Sequence, residues 1–199
     1  MEYLDIFDEN MNLIGQAERE QAHAEGLIHQ VVHVWIVSEI GGAPAFVFQQ
    51  RAFDKKDFPG LYDIAVGGHM DAGEAPAAAA LREMREEIGL HLAEKDLAYL
   101  GCVRDDLTVG GFINREFAHV YLVEQAPISF EPGPEVARMV WVPVWEYQRK
   151  MAGAAEISAY TQKDEKITIA DGEWCLHPGG EDRVVLGQIL KNRERKIQA

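Results

Sequence analysis

The chain has few cysteines and no long apolar run. These two shortages argue against a disulfide-rich, a zinc-binding and a membrane-spanning protein. Its two cysteines, Cys102 and Cys175, lie far apart in the sequence, which is unlike a disulfide framework or a zinc site. No apolar run approaches the roughly 20 residues that cross a bilayer. The acidic N-terminal sequence MEYLDIFDEN lacks the basic and apolar regions of a secretion signal. We therefore expect a cytoplasmic protein that does not cross a membrane.

Basic residues are scarce as well. The chain has 19 Lys and Arg against 33 Asp and Glu, which gives a formal net charge of −14. A surface of this sign repels the phosphate backbone of nucleic acids, so we expect no nucleic-acid partner. If the substrate is a small phosphate compound, a local basic cluster and metal ions must offset the field of the whole chain.

What the sequence does have is a 47% hydrophobic composition, enough for one globular domain over residues 1–199. Apolar and β-branched runs predict strands at 4–6, 29–39, 45–51, 62–66, 97–104, 116–123 and 139–142. Helices are predicted at 17–24, from about 76 to 89, from 145 to 151, and at 183–196. This pattern indicates an α+β protein, an α/β/α sandwich with a mixed sheet. Residues from about 144 to 199 form a helical extension, and Trp174 is expected to pack it onto the core.

The most specific pattern lies between Gly68 and Leu90, which read GHMDAGEAPAAAALREMREEIGL. On a helix each residue turns by about 100°, so Glu83, Glu86 and Glu87 share one face. Like charges on one face repel, and a hard divalent cation such as Mg²⁺ removes the repulsion by binding the carboxylates. The alternative is an acidic, solvated helix, which does not explain the glycines or the arginine.

This pattern resembles the Nudix box: Gly, five residues, Glu, seven residues, then Arg-Glu-apolar-x-Glu-Glu-x-Gly-apolar, with every position filled. The resemblance implies a Nudix-type fold and a Mg²⁺ or Mn²⁺ ion on Glu83, Glu86 and Glu87, which the Gly68 carbonyl also approaches. Arg82 is expected to orient a box glutamate, or to form an ordinary surface ion pair. A glutamate of the box or of a later strand is expected to activate water. The catalytic candidates are Arg82, Glu86, Glu87 and Glu116.

A narrower resemblance covers most of the first 125 residues and is to the isopentenyl-diphosphate isomerase branch of the Nudix superfamily. The similar stretches are 29–35, 50–56 with 59–60 after it, the Gly68-His69 pair and Glu116. Matching positions imply further metal ligands and two basic residues that hold a diphosphate. The implied ligands are His29, His69 and Glu116, and the implied diphosphate contacts are Arg51 and Lys55. His23 matches only with a one-residue shift, which makes it a weaker candidate.

Departures from the isomerase pattern favour hydrolysis. Gly67 stands where the isomerases carry an essential cysteine, and Asn114 replaces an acidic ligand. The sequence therefore predicts a divalent-metal-dependent Nudix hydrolase that cleaves an organic diphosphate, X–P–P, by water attack on phosphorus. The alternatives are an isomerase-like enzyme and a non-catalytic binder of a phosphorylated metabolite. The resemblance also suggests a homodimer, and the identity of X stays open.

Overall fold

The computed structural model describes residues 2–110 and 112–198, with side chains described as far as Asn192. The strands are β1 Tyr3–Phe7, β2 Leu13–Glu18, β3 Ile28–Ile40, β4 Ala43–Arg51, β5 Tyr62–Ile64, β6 Val66–His69, β7 Ala98–Val109, β8 Phe112–Glu124, β9 Val136–Pro143, β10 Glu156–Thr161 and β11 Lys166–Ala170. The α-helices are α1 Arg19–Glu25, α2 Pro76–Ile88, α3 Val144–Met151 and α4 Glu181–Gln198.

The strands form one mixed sheet around β3. This strand pairs with β1, β4, β6 and β8, and the β3–β8 pair is parallel. The other pairings found in the described residues are antiparallel. Beyond β4 the sheet continues through β9 and β10 to β11. β3 is buried at nearly every position because a central strand is covered on both faces.

Helices cover both faces of this sheet. On one face, Val32 and Val34 of β3 pack in a core that includes Ala80 and Met84 of α2. On the other face, the core around Trp35 includes apolar residues of α3 and α4, among them Tyr147, Val185 and Ile189. Successive side chains of a strand point to opposite faces, so β3 supplies both cores. The structure confirms the predicted α+β sandwich with a mixed sheet.

The helix of the Gly68–Leu90 segment begins and ends where the sequence indicates. Pro76 occupies the first turn, where its missing N–H leaves no hydrogen bond unmade. Gly89 ends the helix in the left-handed conformation, with φ of 67°, and the Leu90 N–H then bonds to the Met84 carbonyl. Both boundaries depend on local residue chemistry.

Strands β7 and β8 are longer than the predicted 97–104 and 116–123, and strand β2 was not predicted. Two other elements differ from the structure because of strand pairing. The helix expected from Ala17 begins only at Arg19, because Ala17 pairs with Leu4 in the β1–β2 ladder. The strand expected over 62–66 is divided at Ala65 into β5, which pairs with β4, and β6, which pairs with β3. In both places, the pairing of strands decides the boundary.

The C-terminal part contains the two predicted helices and also a hairpin that was not predicted. β10 and β11 lie between α3 and α4 and lengthen the sheet beyond β9. Trp174 is buried against Phe48 and Tyr62, as expected for a packing residue. Neither Cys102 nor Cys175 is in a disulfide. Among the described residues, no helix combines the length and apolar character needed to span a membrane.

Candidate active site

A large cleft of about 1610 Å³ opens where α2, β6 and the start of β3 meet loops from both ends of the chain. It exceeds the roughly 300–1,000 Å³ of common small-molecule pockets. Its wall includes all the sequence-predicted acidic candidates and both predicted diphosphate contacts. These are Glu83, Glu86, Glu87 and Glu116 with Arg51 and Lys55. Residues from α1 and from the segment before α4 line it as well.

Glu83 and Glu87 of α2 are half-buried in this cleft, whereas the Glu86 side chain is 57% exposed at its rim. The Glu87 carboxylate accepts a hydrogen bond of 3.1 Å from the Gln49 amide and lies 3.4 Å from the Gly67 N–H. Burial, reinforced by the charges of Glu83 and Asp63, raises the pKa of Glu87 to about 8. Clustered carboxylates with too few counter-charges fit a hard divalent cation.

Gly68 lies directly against the Glu83 carboxylate. A Cβ atom at Gly68 would fall 2.1 Å from Glu83 Cδ, far inside van der Waals contact. The absence of a side chain lets the carboxylate approach the backbone of β6, beside the Gly68 carbonyl that was predicted to face a metal. This contact gives the glycine a packing reason, whatever its backbone conformation.

Arg82 joins the elements around these carboxylates. Its guanidinium donates to both carboxylate oxygens of Glu74 at 3.0 and 2.8 Å, to Glu83 at 2.6 Å and to the His69 carbonyl at 2.9 Å. The bidentate partner is thus Glu74, and Glu83 receives a single short bond. Glu74 also accepts from the Asp71 N–H, so it ties the loop to Arg82 and does not cap the N–H groups of α2. The arginine therefore ties Glu83 to Glu74 of the preceding loop and to the backbone of β6.

A second ligand group lies beside the first. Glu116 of β8 pairs with His29 of β3 in the parallel register, with 3.8 Å between Glu116 Oε1 and His29 Nε2. His69 of β6 and His23 of α1 complete the group, and their Nε2 atoms are 3.0 Å apart. The potential ligand atoms of the three histidines lie within 4.8 Å of one another. The structure thus brings His23 together with the predicted ligands.

The hydrogen bonding and the protonation of these side chains suit metal binding. The His29 Nδ1 lies 3.0 Å from the Leu27 carbonyl, and its Nε2 is buried with no hydrogen-bond partner in the described part of the chain. Burial lowers the pKa of His23 and of His69, which favours the neutral imidazole that metals bind. Burial raises the pKa of a carboxyl group, but the imidazoles of His29 and His33 outweigh it and lower the pKa of Glu116 to about 2.

The basic residues of the cleft are paired with protein groups. Arg51 donates to the Asp57 carbonyl at 3.1 Å and contacts Asp63 at 3.3 Å. Lys55 contacts Glu135 at 2.8 Å. Arg19 of α1 also lines the cleft and was missed by sequence reasoning. It lies four residues before His23 and so on the same helix face, a signal that was available once α1 was placed.

The inner end of the cleft is built by the segment that precedes α4, which sequence reasoning did not assign to the site. His177 lies 2.7 Å from Asp63 and 3.5 Å from Asp105. Glu181 lies 2.7 Å from His33 Nδ1 and accepts a hydrogen bond of 3.2 Å from the Trp35 indole. These pairs join residues more than 70 positions apart in sequence, and no local sequence pattern predicts them.

Comparison with known proteins gives a family and a fold. The model of the NUDIX domain matches residues 27–163. An uncharacterised Nudix hydrolase of Clostridium acetobutylicum is 35% identical over 61% of this chain and 58% of its own length. Nudix hydrolase 3 of Arabidopsis thaliana is 35% identical over 82% of this chain and 22% of its own length. An isopentenyl-diphosphate Delta-isomerase of Streptomyces griseus is 37% identical over 66% of each. The chain spans less than two thirds of the length of these relatives.

Solved structures agree on the architecture. A Deinococcus radiodurans protein superposes with a TM-score of 0.57 at 22% identity, covering 76% of this chain and 90% of its own. A MutT/nudix family protein from Enterococcus faecalis gives 0.58 at 13% identity, covering 82% and 62%. At these identities the likeness establishes the fold.

Proposed function

Because this chain belongs to the NUDIX domain family, we propose that it is a divalent-metal-dependent hydrolase that cleaves the diphosphate linkage of an organic diphosphate, X–P–P. The observation that supports this most directly is the approach of two carboxylates to the glycine pair of β6, with Glu83 against Gly68 and Glu87 3.4 Å from the Gly67 N–H. Arg82 is bonded to Glu83. This arrangement concentrates ionisable oxygens in a cleft large enough for an organic diphosphate.

A bound Mg²⁺ or Mn²⁺ would neutralise diphosphate charge, the chief requirement of phosphoryl chemistry. Two adjoining groups of this chain would hold such ions. The first is Glu83, Glu86 and Glu87 with the Gly68 carbonyl, and the second is His23, His29, His69 and Glu116. Two features fit metal ions: the buried Nε2 of His29 has no hydrogen-bond partner among the described residues, and the missing side chain of Gly68 lets the Glu83 carboxylate lie against the backbone.

The protein's other residues would position the reactants. Glu87 and Glu116 are the carboxylates placed to accept the proton of the attacking water. Lys55 pairs with the exposed Glu135, and such pairs contribute only about 0–1 kcal/mol, so a diphosphate can take its place. Arg51 is held at both ends of its guanidinium by Asp57 and Asp63, and it offers a fixed positive charge.

The direct test is product formation from a panel of organic diphosphates with Mg²⁺ or Mn²⁺, followed by phosphorus NMR. We expect new phosphate or monophosphate signals from one substrate class, which would also identify X. If no member of the panel is turned over and one member binds tightly, the protein is a binding protein and not a hydrolase.

The residue test is Glu87→Gln. We expect kcat to fall by at least about 10²-fold, the size of a lost general base or misplaced ligand. The thermal midpoint should stay the same or rise, since burial and like charge disfavour the ionised Glu87 carboxylate. The matched control is Glu94→Gln, an exposed glutamate outside the cleft. Near-normal turnover by Glu87→Gln would overturn the assignment of the site.

One observation favours a second candidate, an isomerase-like activity. The side chains of His23, His29, His69 and Glu116 lie close together, and three of them, His29, His69 and Glu116, match isomerase positions in the sequence. Gly67 opposes it, because glycine has no side chain to move a proton. A Cβ at Gly67 would make ordinary contacts of 3.5 Å with Ile64 and 3.8 Å with His33, so packing does not prevent a cysteine there. An isoprenoid diphosphate rearranged without phosphate release would support the isomerase.

A further inference from the structure

We propose that His33 is a further catalytic residue of the hydrolysis, the general acid that protonates the leaving-group oxygen, and that Glu181 orients it. This inference rests on the proposed function and adds a role for the C-terminal part of the chain. Three kinds of observation carry it: the geometry of the pair, its access to the cleft and its charge.

The geometry is that of an oriented imidazole. His33 Nδ1 and Glu181 Oε2 are 2.7 Å apart, and both residues are buried. The other carboxylate oxygen of Glu181 accepts from the Trp35 indole N–H at 3.2 Å. With both oxygens engaged, the carboxylate cannot rotate without losing a hydrogen bond in a buried setting. A carboxylate held in this way fixes which ring nitrogen of His33 is left for chemistry, namely Nε2.

Access to the cleft comes from Gly67. His33 is only 4% exposed, yet it lines the cleft together with Gly67 and Glu87. The Cβ position of Gly67 lies 3.8 Å from His33 Cδ2, the ring carbon bonded to Nε2. The ring edge that carries the free nitrogen therefore faces the space that a larger residue at position 67 would fill. A glycine at this point leaves the imidazole uncovered.

The charges around His33 favour its protonated form. Burial alone would lower the pKa of His33, but the charge of Glu181 and the hydrogen bond to it outweigh burial and raise it. His177 opposes this, since its ring centroid lies 5.0 Å from that of His33, while Glu116 adds to the increase. His177 is itself paired with Asp63 and Asp105. The surroundings of His33 thus favour the protonated imidazole, which is the form that can give a proton.

The chemical step balances without any further reactant. The water oxygen forms a bond to phosphorus, and the bond between phosphorus and the leaving oxygen breaks. The water proton passes to a cleft carboxylate, Glu87 or Glu116, and the leaving oxygen takes its proton from His33 Nε2. Exchange with solvent then returns both groups to their starting protonation states.

The test compares His33→Gln with His119→Gln, using the substrate that the diphosphate panel identifies. His119 is the matched control, because it is also a buried strand histidine with one hydrogen bond, to Tyr99, and it does not line the cleft. We expect His33→Gln to lower kcat by about 10²–10⁴-fold, the usual contribution of a general acid, with little change in KM. In the wild type, kcat should fall at alkaline pH as His33 loses its proton. This fall should be absent in His33→Gln. Glu181→Gln should lower kcat less, because an amide can still accept from one ring nitrogen.

The single variant His33→Gln leaves the buried Glu181 carboxylate without its partner, which could prevent folding. The double variant His33→Gln/Glu181→Gln avoids this, because it leaves no unpaired buried carboxylate. If His33→Gln does not fold, the double variant is measured in its place and the same fall in kcat is expected. A folded variant with kcat within about threefold of wild type, or an equal loss in His119→Gln, would overturn the role of His33 alone. Absence of wild-type turnover across the panel would instead overturn the proposed function and this inference with it.

Discussion

The missing side chain of Gly68 makes room for a carboxylate of the candidate site. The Glu83 carboxylate occupies the volume that a Cβ at this position would take, with only 2.1 Å between the ideal Cβ and Glu83 Cδ. The clash is with the end of a flexible side chain, so Glu83 would move and the fold would persist. The residue at position 68 therefore affects the placement of the Glu83 carboxylate, a proposed metal ligand, more than it affects the stability of the fold.

We predict that Gly68→Ala lowers kcat/KM by about 10²-fold, the cost of displacing a reacting group by about 1 Å. Its thermal midpoint should fall only modestly. Gly15→Ala is the matched control, because no atom lies within 4 Å of its Cβ position and the residue is exposed on β2. Steady-state kinetics with thermal melts would measure both. A large loss of stability at unchanged specific activity would show that Gly68 acts in folding.

The segment from Trp174 to Glu181 acts as a unit that fastens the C-terminal part to the inner end of the cleft. The Cys175 N–H bonds to the Tyr62 carbonyl at 2.8 Å, His177 pairs with Asp63, and Glu181 pairs with His33. Two of these three contacts are ion pairs when the histidines carry a proton. The docking of this segment should therefore depend on pH.

The direction of that dependence follows from the histidines. Although burial opposes their charge, carboxylate partners raise the pKa of His177 well above its ordinary value, and they also raise the pKa of His33. A raised pKa in the folded state means that the stabilisation is complete below the unfolded value of about 6.5. It is then lost as the pH rises through the folded value. The carboxylate partners titrate far below this window, since the pKa values of Asp63 and Glu181 are lowered.

We predict that His177→Gln lowers the free energy of unfolding by about 2 kcal/mol at pH 6, the scale of a charged hydrogen bond. The difference from wild type should shrink as the pH rises to 9. Denaturant unfolding at several pH values measures it, with the exposed His91→Gln as the control. A difference that stays constant with pH, or grows, would contradict the ion-pair account.

The whole molecule carries a net charge of −14, and its cleft gathers carboxylates and histidines. Such a protein should gain stability from the ion that it is proposed to bind. A ligand that binds only the folded state stabilises it by about 2.7 kcal/mol at 100 times its Kd.

We therefore expect Mn²⁺ to raise the thermal midpoint, and a chelator to reverse the shift. The shift should be smaller in Glu83→Gln and in His29→Gln, and unchanged in Glu94→Gln. Monovalent salt at matched ionic strength controls for screening of the net charge. Equal shifts in all variants would show that the ion acts on the general surface charge and not at the cleft.

Much of the fold could be predicted because its signals are local. Helix α2 follows from Pro76, Gly89 and the apolar spacing between them, and β3 and β4 follow from apolar runs around a Gly-Gly turn. Strand β2 and the β10–β11 hairpin could not be predicted this way. These are short strands of five or six residues that pair with neighbours in the sequence, β2 with β1 and β10 with β11. Their propensities alone are too weak to decide.

The sequence by itself determined the family and the carboxylate helix, because seven spaced residues over one loop and one helix specify both without reference to the rest of the chain. Only the tertiary structure decided which distant residues complete the cleft. His23 reaches His69 across 46 residues, and Glu181 reaches His33 across 148. Contacts of this range depend on strand register and on the docking of α1 and α4. These are fixed by burial of the whole core, which no local spacing encodes.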